Sequence, residues 1–178
     1  MTQPLPRLRV QRNPWNLTRL VARLAKGVAK VDAQREPYAT YWDEANADAM
    51  SEDGPLWLAL GDSAVQGVGA SSPDAGWVPK ILERLQAENP AWRVINVSMT
   101  GARMTHVEDD QLPLIASHDL DPTLVTCMIG TNDFLGGASA ARIRSDATGL
   151  LRQLPAGTYF GRGGGPGQRR SSAFQQAI

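Results

Sequence analysis

Three short turns in this chain carry residues that could do chemistry together. Gly61-Asp62-Ser63 stands where the apolar run Leu56-Trp57-Leu58-Ala59-Leu60 stops. Gly101 closes Asn96-Val97-Ser98-Met99-Thr100-Gly101, and Gly130-Thr131-Asn132-Asp133 directly follows Leu124-Val125-Thr126-Cys127-Met128-Ile129. Ser63 offers a hydroxyl nucleophile, and its own backbone N–H can point at a developing oxyanion. Gly101 lets a backbone N–H approach a ligand with no side chain in the way. Asn132 adds a side-chain amide donor, while Gly130 permits a tight turn. Each feature also has a purely local reading: Ser63 as a helix N-cap, Gly101 in an ordinary strand-to-helix turn, residues 130–133 as an Asx-type turn. Three such turns, each after its own parallel strand, open on the same edge of a sheet, where ligands bind. Together they point to a serine nucleophile at a site built on the ends of parallel strands.

The elements that must position these turns follow from the hydropathy pattern. From Gly54 onward, strands are expected at 56–60, 92–97, 124–129 and from 157, with helices over 77–87, 106–116 and 138–154. Strand alternating with helix implies a three-layer α/β/α sandwich around a parallel sheet. The chain divides at residue 53. Residues 1–53 read as a basic arm, an amphipathic basic helix over 17–31 and an acidic connector; residues 54–178 read as the catalytic-type domain. Arg19, Arg23 and Lys26 lie in the basic helix, which can pack on its own domain or make weak contact with an anionic membrane surface. The Gly-rich stretch 161–167 makes no core element, and residues 171–178 read as a helix only begun.

In these motifs the sequence resembles the SGNH hydrolases, also called the GDSL esterase/lipase family. The resemblance runs from residue 56 to 154. It covers three motif blocks in order: Gly61-Asp62-Ser63 for the nucleophile, Gly101 for the glycine, and Gly130-x-Asn132-Asp133 for the asparagine. It implies a flavodoxin-like sandwich in which Ser63 attacks an ester carbonyl. The Ser63 N–H, the Gly101 N–H and the Asn132 amide would then hold the oxyanion. Gly61, Asp62, Gly130 and Asp133 would support the turns, the two acids by bonding turn backbone. The larger α/β-hydrolase class is disfavoured, because Ala59 and Asp62-Ser63-Ala64 do not make a G-x-S-x-G elbow.

The family takes its base and orienting acid from an Asp-x-x-His near its C-terminus, and this sequence contains none. The residues three before His106 and His118 are Arg103 and Ile115. The expectation is a sandwich lacking its last strand and helix, with ester hydrolysis impaired. The alternatives are a non-catalytic relative that binds acyl or acetyl ligands, or an inactive fragment. No cofactor and no metal are expected: no His/Cys/Asp cluster has ligand spacing, and 161–167 lacks the phosphate-loop ending. A net charge of zero, from 18 basic and 18 acidic residues, gives no whole-chain attraction to nucleic acid. One cysteine excludes an internal disulfide framework. A small-molecule ester is the expected partner and the cytoplasm the expected location.

Overall fold

The computed structural model describes Leu8 and residues 31–161. Strands β1 (Leu56–Gly61), β2 (Arg93–Asn96), β3 (Leu124–Met128) and β4 (Tyr159–Gly161) form one parallel sheet in the order β2-β1-β3-β4. Ala59 stands opposite Asn96, and Gly61 opposite Met128. The ends of β1, β2 and β3 therefore lie side by side. Around the sheet run α1 (Arg35–Ser51), α2 (Ser63–Gln66), a 3-10 turn (Pro73–Ala75) and α3 (Trp77–Glu88). Then follow α4 (Met104–His106), a π-turn (Val107–Gln111), α5 (Leu112–Ala116), α6 (Thr131–Leu135) and α7 (Ala140–Gln153).

β1 is the centre of the molecule, and all six of its residues are buried. Leu56, Leu58 and Leu60 enter one core with Val107, Val125, Cys127 and Leu150. Trp57 and Ala59 enter the other with Trp42, Val65, Val78 and Val94. A strand covered on both faces needs a continuous apolar run, not alternation, and 56–60 supplies it. Each buried leucine of β1 contributes about 1.5–3 kcal/mol relative to exposure. The α/β sandwich expected from the sequence is the one formed.

Two expectations change. The acidic stretch 32–53, read as a connector, is mostly helix α1, which buries Tyr38, Ala39, Trp42, Asn46 and Ala49 against the sheet. Glu36, Glu44 and Asp48 are exposed, so the acidity marks the solvent side of a packed helix. The helix expected at 106–116 begins at Met104 and widens into a π-turn before Pro113. A proline inside a helix has no N–H to donate and crowds the carbonyl four residues back, and a wider turn relieves both. The basic helix read over 17–31 lies, except for Val31, outside the described residues, as does the chain beyond 161. Among the described residues, no helix is long and apolar enough to cross a membrane.

Candidate active site

Ser63 is the first residue of α2, a single helical turn set on the end of β1. β1 must stop abruptly to release it. Gly61 has φ +143°, and a Cβ there would lie 2.1 Å from the Met128 carbonyl oxygen. Only glycine fits between β1 and β3 at this point. Asp62 then caps α2: its carboxylate accepts from the Ala64 N–H at 3.0 Å, and its own N–H donates to the Met128 carbonyl at 3.3 Å. The N-cap of this helix is thus Asp62, and Ser63, half-buried, is left free of capping work.

A four-residue helix has no internal partner for most of its carbonyls, and the surrounding elements supply partners one by one. Ser63 O accepts from Val68 N at 3.0 Å, and Ala64 O from the Trp77 indole at 2.9 Å. Val65 O accepts from the Asn96 amide at 3.0 Å, and Gln66 O from the Trp42 indole at 3.0 Å. Gly67, at φ +87°, ends the turn in the left-handed conformation.

Gly101, at φ +81°, lies in the loop after β2. That loop is fastened to the Ser63 turn and to β1. The Met99 N–H donates to Gly61 O at 3.0 Å, the Gln66 amide to Ser98 O at 2.9 Å, and the Thr100 hydroxyl bonds Gln66 Oε1. Asn96, fully buried, accepts on Oδ1 from both Ser98 N and Ser98 Oγ.

The third turn starts at Gly130, φ +111°, and runs into α6. Asn132 donates Nδ2 to the Ala102 carbonyl at 2.8 Å, and the Asp133 carboxylate accepts from Met104 N at 3.3 Å. Both side chains therefore hold the backbone immediately after Gly101. An amide nitrogen carries two hydrogens, and the Ala102 bond uses one of Asn132's.

Asp62 and Asp133 are both buried, at 2% and 3% exposure. Burial, aided by the nearby Asp133 charge and opposed by the Ala64 N–H bond, raises the Asp62 carboxyl to about 6. Burial also raises Asp133, opposed by its bond to Met104 N and by the Arg103 guanidinium. Of the histidines, His106 Nδ1 accepts from Arg103 N at 3.0 Å, and His118 Nδ1 meets the Leu114 carbonyl at 2.8 Å.

A sequence profile of the GDSL-like lipase/acylhydrolase family matches residues 59–177, which include all three turns. The chain belongs to this family. Among curated proteins none matches the sequence. Among solved structures, AlinE4, an SGNH-hydrolase family esterase, is 25% identical over 57% of this chain and 53% of its own, with a TM-score of 0.48. TesA is 26% identical over 55% of this chain and 53% of its own, with a TM-score of 0.47. A W215I variant of Axe2, an acetyl xylan esterase from Geobacillus stearothermophilus, is 21% identical over 61% of this chain and 60% of its own, with a TM-score of 0.47. The chain spans somewhat over half the length of these structures.

Sequence reasoning found the three turns but missed what joins them. Gln66, Asn96, Ser98 and Gln111 are all buried polar residues. The one available signal was polar side chains flanking apolar runs, which a single sequence does not separate from surface residues.

Proposed function

We propose that the site hydrolyses ester bonds through Ser63. The Ser63 hydroxyl would attack the ester carbonyl carbon and lose its proton to a base. The carbonyl oxygen becomes an oxyanion that the Ser63 N–H, the Gly101 N–H and the second Asn132 hydrogen can receive. Collapse expels the alcohol, reprotonated by the same base, and leaves an acyl-serine. Water then attacks the acyl carbon, giving the acid and free serine. The observation that carries this reading is the Asn132–Ala102 bond of 2.8 Å within the family-matched segment. It couples the asparagine turn to the glycine turn and leaves one amide hydrogen uncommitted.

The 178 residues hold no Asp-x-x-His. Serine without a base is a poor nucleophile near neutral pH. Turnover by this chain alone should be limited to the ~10³–10⁴-fold over water that an oxyanion hole and binding provide. Added imidazole should raise it.

The test is p-nitrophenyl acetate hydrolysis with and without imidazole, comparing the native chain with Ser63→Ala and Asn132→Ala. The expected result is imidazole-dependent release in excess of that by imidazole alone, an excess abolished by Ser63→Ala and lowered about 10²–10³-fold by Asn132→Ala. Release that Ser63→Ala leaves unchanged would sink the reading. Saturable acetyl-ligand binding with no serine-dependent turnover would favour a non-catalytic relative instead.

A further inference from the structure

Helix α1 precedes the family-matched residues, yet one stripe of it is aimed at the Ser63 turn. Gln34, which opens the helix, and Tyr38, Trp42 and Asn46 within it recur every fourth residue, so they stack on one face. Gln34 clamps the far end of the turn, accepting from Gly69 N at 2.9 Å and donating to Ala70 O at 2.9 Å. The Tyr38 hydroxyl donates to the same Ala70 carbonyl at 2.8 Å. The Trp42 indole holds Gln66 O, the last carbonyl of α2. Asn46 grips the main chain of Asn96 with two bonds, accepting from its N–H at 2.8 Å and donating to its carbonyl at 2.9 Å. Asn96 in turn donates its side-chain amide to Val65 O at 3.0 Å.

A helix that merely covered an apolar sheet face would present leucines and alanines. Beside Ala39 and Ala49, this one also buries three polar-tipped side chains almost completely, Tyr38 at 3%, Trp42 at 1% and Asn46 at 0% exposure. Burying polar atoms is unfavourable unless each is bonded, and every one of these is bonded to the turn or to the β2 end beside it. Without α1, Gln66 O, Gly69 N and Ala70 O would lose the partners that α1 gives them; water could replace those bonds, but would not fix where residues 63–70 sit. The stripe gives geometry that solvation cannot give.

We propose that Gln34, Tyr38, Trp42 and Asn46 are positioning residues that hold the turn carrying Ser63 in its reactive conformation. This rests on the reading of Ser63 as the nucleophile. It makes α1 a working part of the site and not a connector. None of the four is catalytic; each acts through the backbone of the turn or of Asn96.

The test uses the full 178-residue chain and two probes. Amide hydrogen exchange reads the ordering of residues 63–70 directly. Labelling by diisopropyl fluorophosphate, in which Ser63 Oγ bonds phosphorus as fluoride leaves and the serine proton is released, reads its reactivity. The maximal labelling rate is separated from the half-saturating concentration. The variants are Tyr38→Phe, Trp42→Phe and the pair Gln34→Ala/Tyr38→Phe, with Thr148→Ala on α7 as control. Should Trp42→Phe fail to fold, the Gln34/Tyr38 pair carries the test, since Gln34 is only partly buried.

The expected result is exchange over 63–70 faster by roughly tenfold, about what losing one hydrogen bond allows, with β3 exchange unchanged. The maximal labelling rate should fall with the half-saturating concentration unmoved, and Thr148→Ala should alter nothing. Unchanged exchange over 63–70 would overturn the proposal. So would exchange that rises in every segment together, because the stripe would then be ordinary packing. Local loosening in a chain whose Ser63 never labels, even with imidazole, would leave the ordering role standing and remove the hydrolase reading.

Discussion

Gln111 holds the backbone of Gly61 by both of its polar groups, accepting from the Gly61 N–H and donating to the Gly61 carbonyl, each at 2.9 Å. The grip comes from the π-turn across the sheet end, and Gln111 is fully buried.

Replacing Gln111 with leucine should therefore destabilise the chain by about 1–3 kcal/mol, the cost of one buried N–H left without a partner. The Gly61 carbonyl suffers less, since Met99 N still donates to it at 3.0 Å. Urea unfolding would read the loss, and a midpoint equal to that of the native chain would count against the clamp.

Gly61→Ala should be worse. A methyl group would meet the Met128 carbonyl and the Val65 side chain at 2.1 and 2.7 Å, in a backbone region alanine avoids. Strain of this kind costs about 1–3 kcal/mol before any clash is added. Thermal unfolding of Gly61→Ala beside Gly157→Ala separates the two causes. Gly157 also has a positive φ, +81°, but nothing within 4 Å of its added Cβ. Equal losses in the two variants would exclude the close approach of β3 as the cause.

Stability should depend on pH through Asp62. Its carboxyl ordinarily titrates near 3.8 and is raised to about 6 in the folded chain. The folded state thus holds the proton more tightly than the unfolded chain. That advantage is fully present below about pH 4 and is lost as pH rises through about 6. Asp133 is shifted in the same direction. Asp62→Asn keeps an N-cap acceptor and has no proton to lose. The variant should be more stable than the native chain at pH 8, by on the order of 2–3 kcal/mol, with the gap closing toward pH 4. Urea midpoints measured across that range would decide it; parallel curves would discount Asp62.

Cys127 should be inert in the folded chain. It is 1% exposed, and burial together with the Asp62 charge pushes its thiol up to about 12. The thiolate is the reacting form. Ellman's reagent should report no free thiol in native buffer and one per chain in guanidinium. Fast native reaction would mean that the core around β3 opens.

Much of the fold was legible because it follows from burial. The runs at 56–60 and 124–128 are apolar throughout or nearly so, and a central parallel strand has no other way to be covered on both faces. The three turns were legible because glycine, serine and asparagine recur at strand ends. The acidic segment was misread because its inward face, apart from the small Ala39 and Ala49, is made of polar or amphipathic residues: Gln34, Tyr38, Trp42 and Asn46. A hydropathy pattern tuned to leucine and valine does not register them as a buried face. Gln111 was invisible for a related reason: in Glu108-Asp109-Asp110-Gln111 it reads as one more surface residue. The buried polar contacts that set the site's shape depend on tertiary partners from 30 to 50 residues away.

The placement of β1 between β2 and β3 has a consequence for synthesis on the ribosome. The partner of Gly61 on one side is Met128, which is translated 67 residues later. At roughly 5–20 residues per second that is a delay of roughly 3–13 s. For that interval the most apolar of the described strands has been made but has at most β2, itself translated after β1, beside it, and the edge meant for β3 stays open to other chains. The nascent protein is thus most vulnerable at its future centre, and synonymous codons that slow elongation between 61 and 128 would lengthen that exposure.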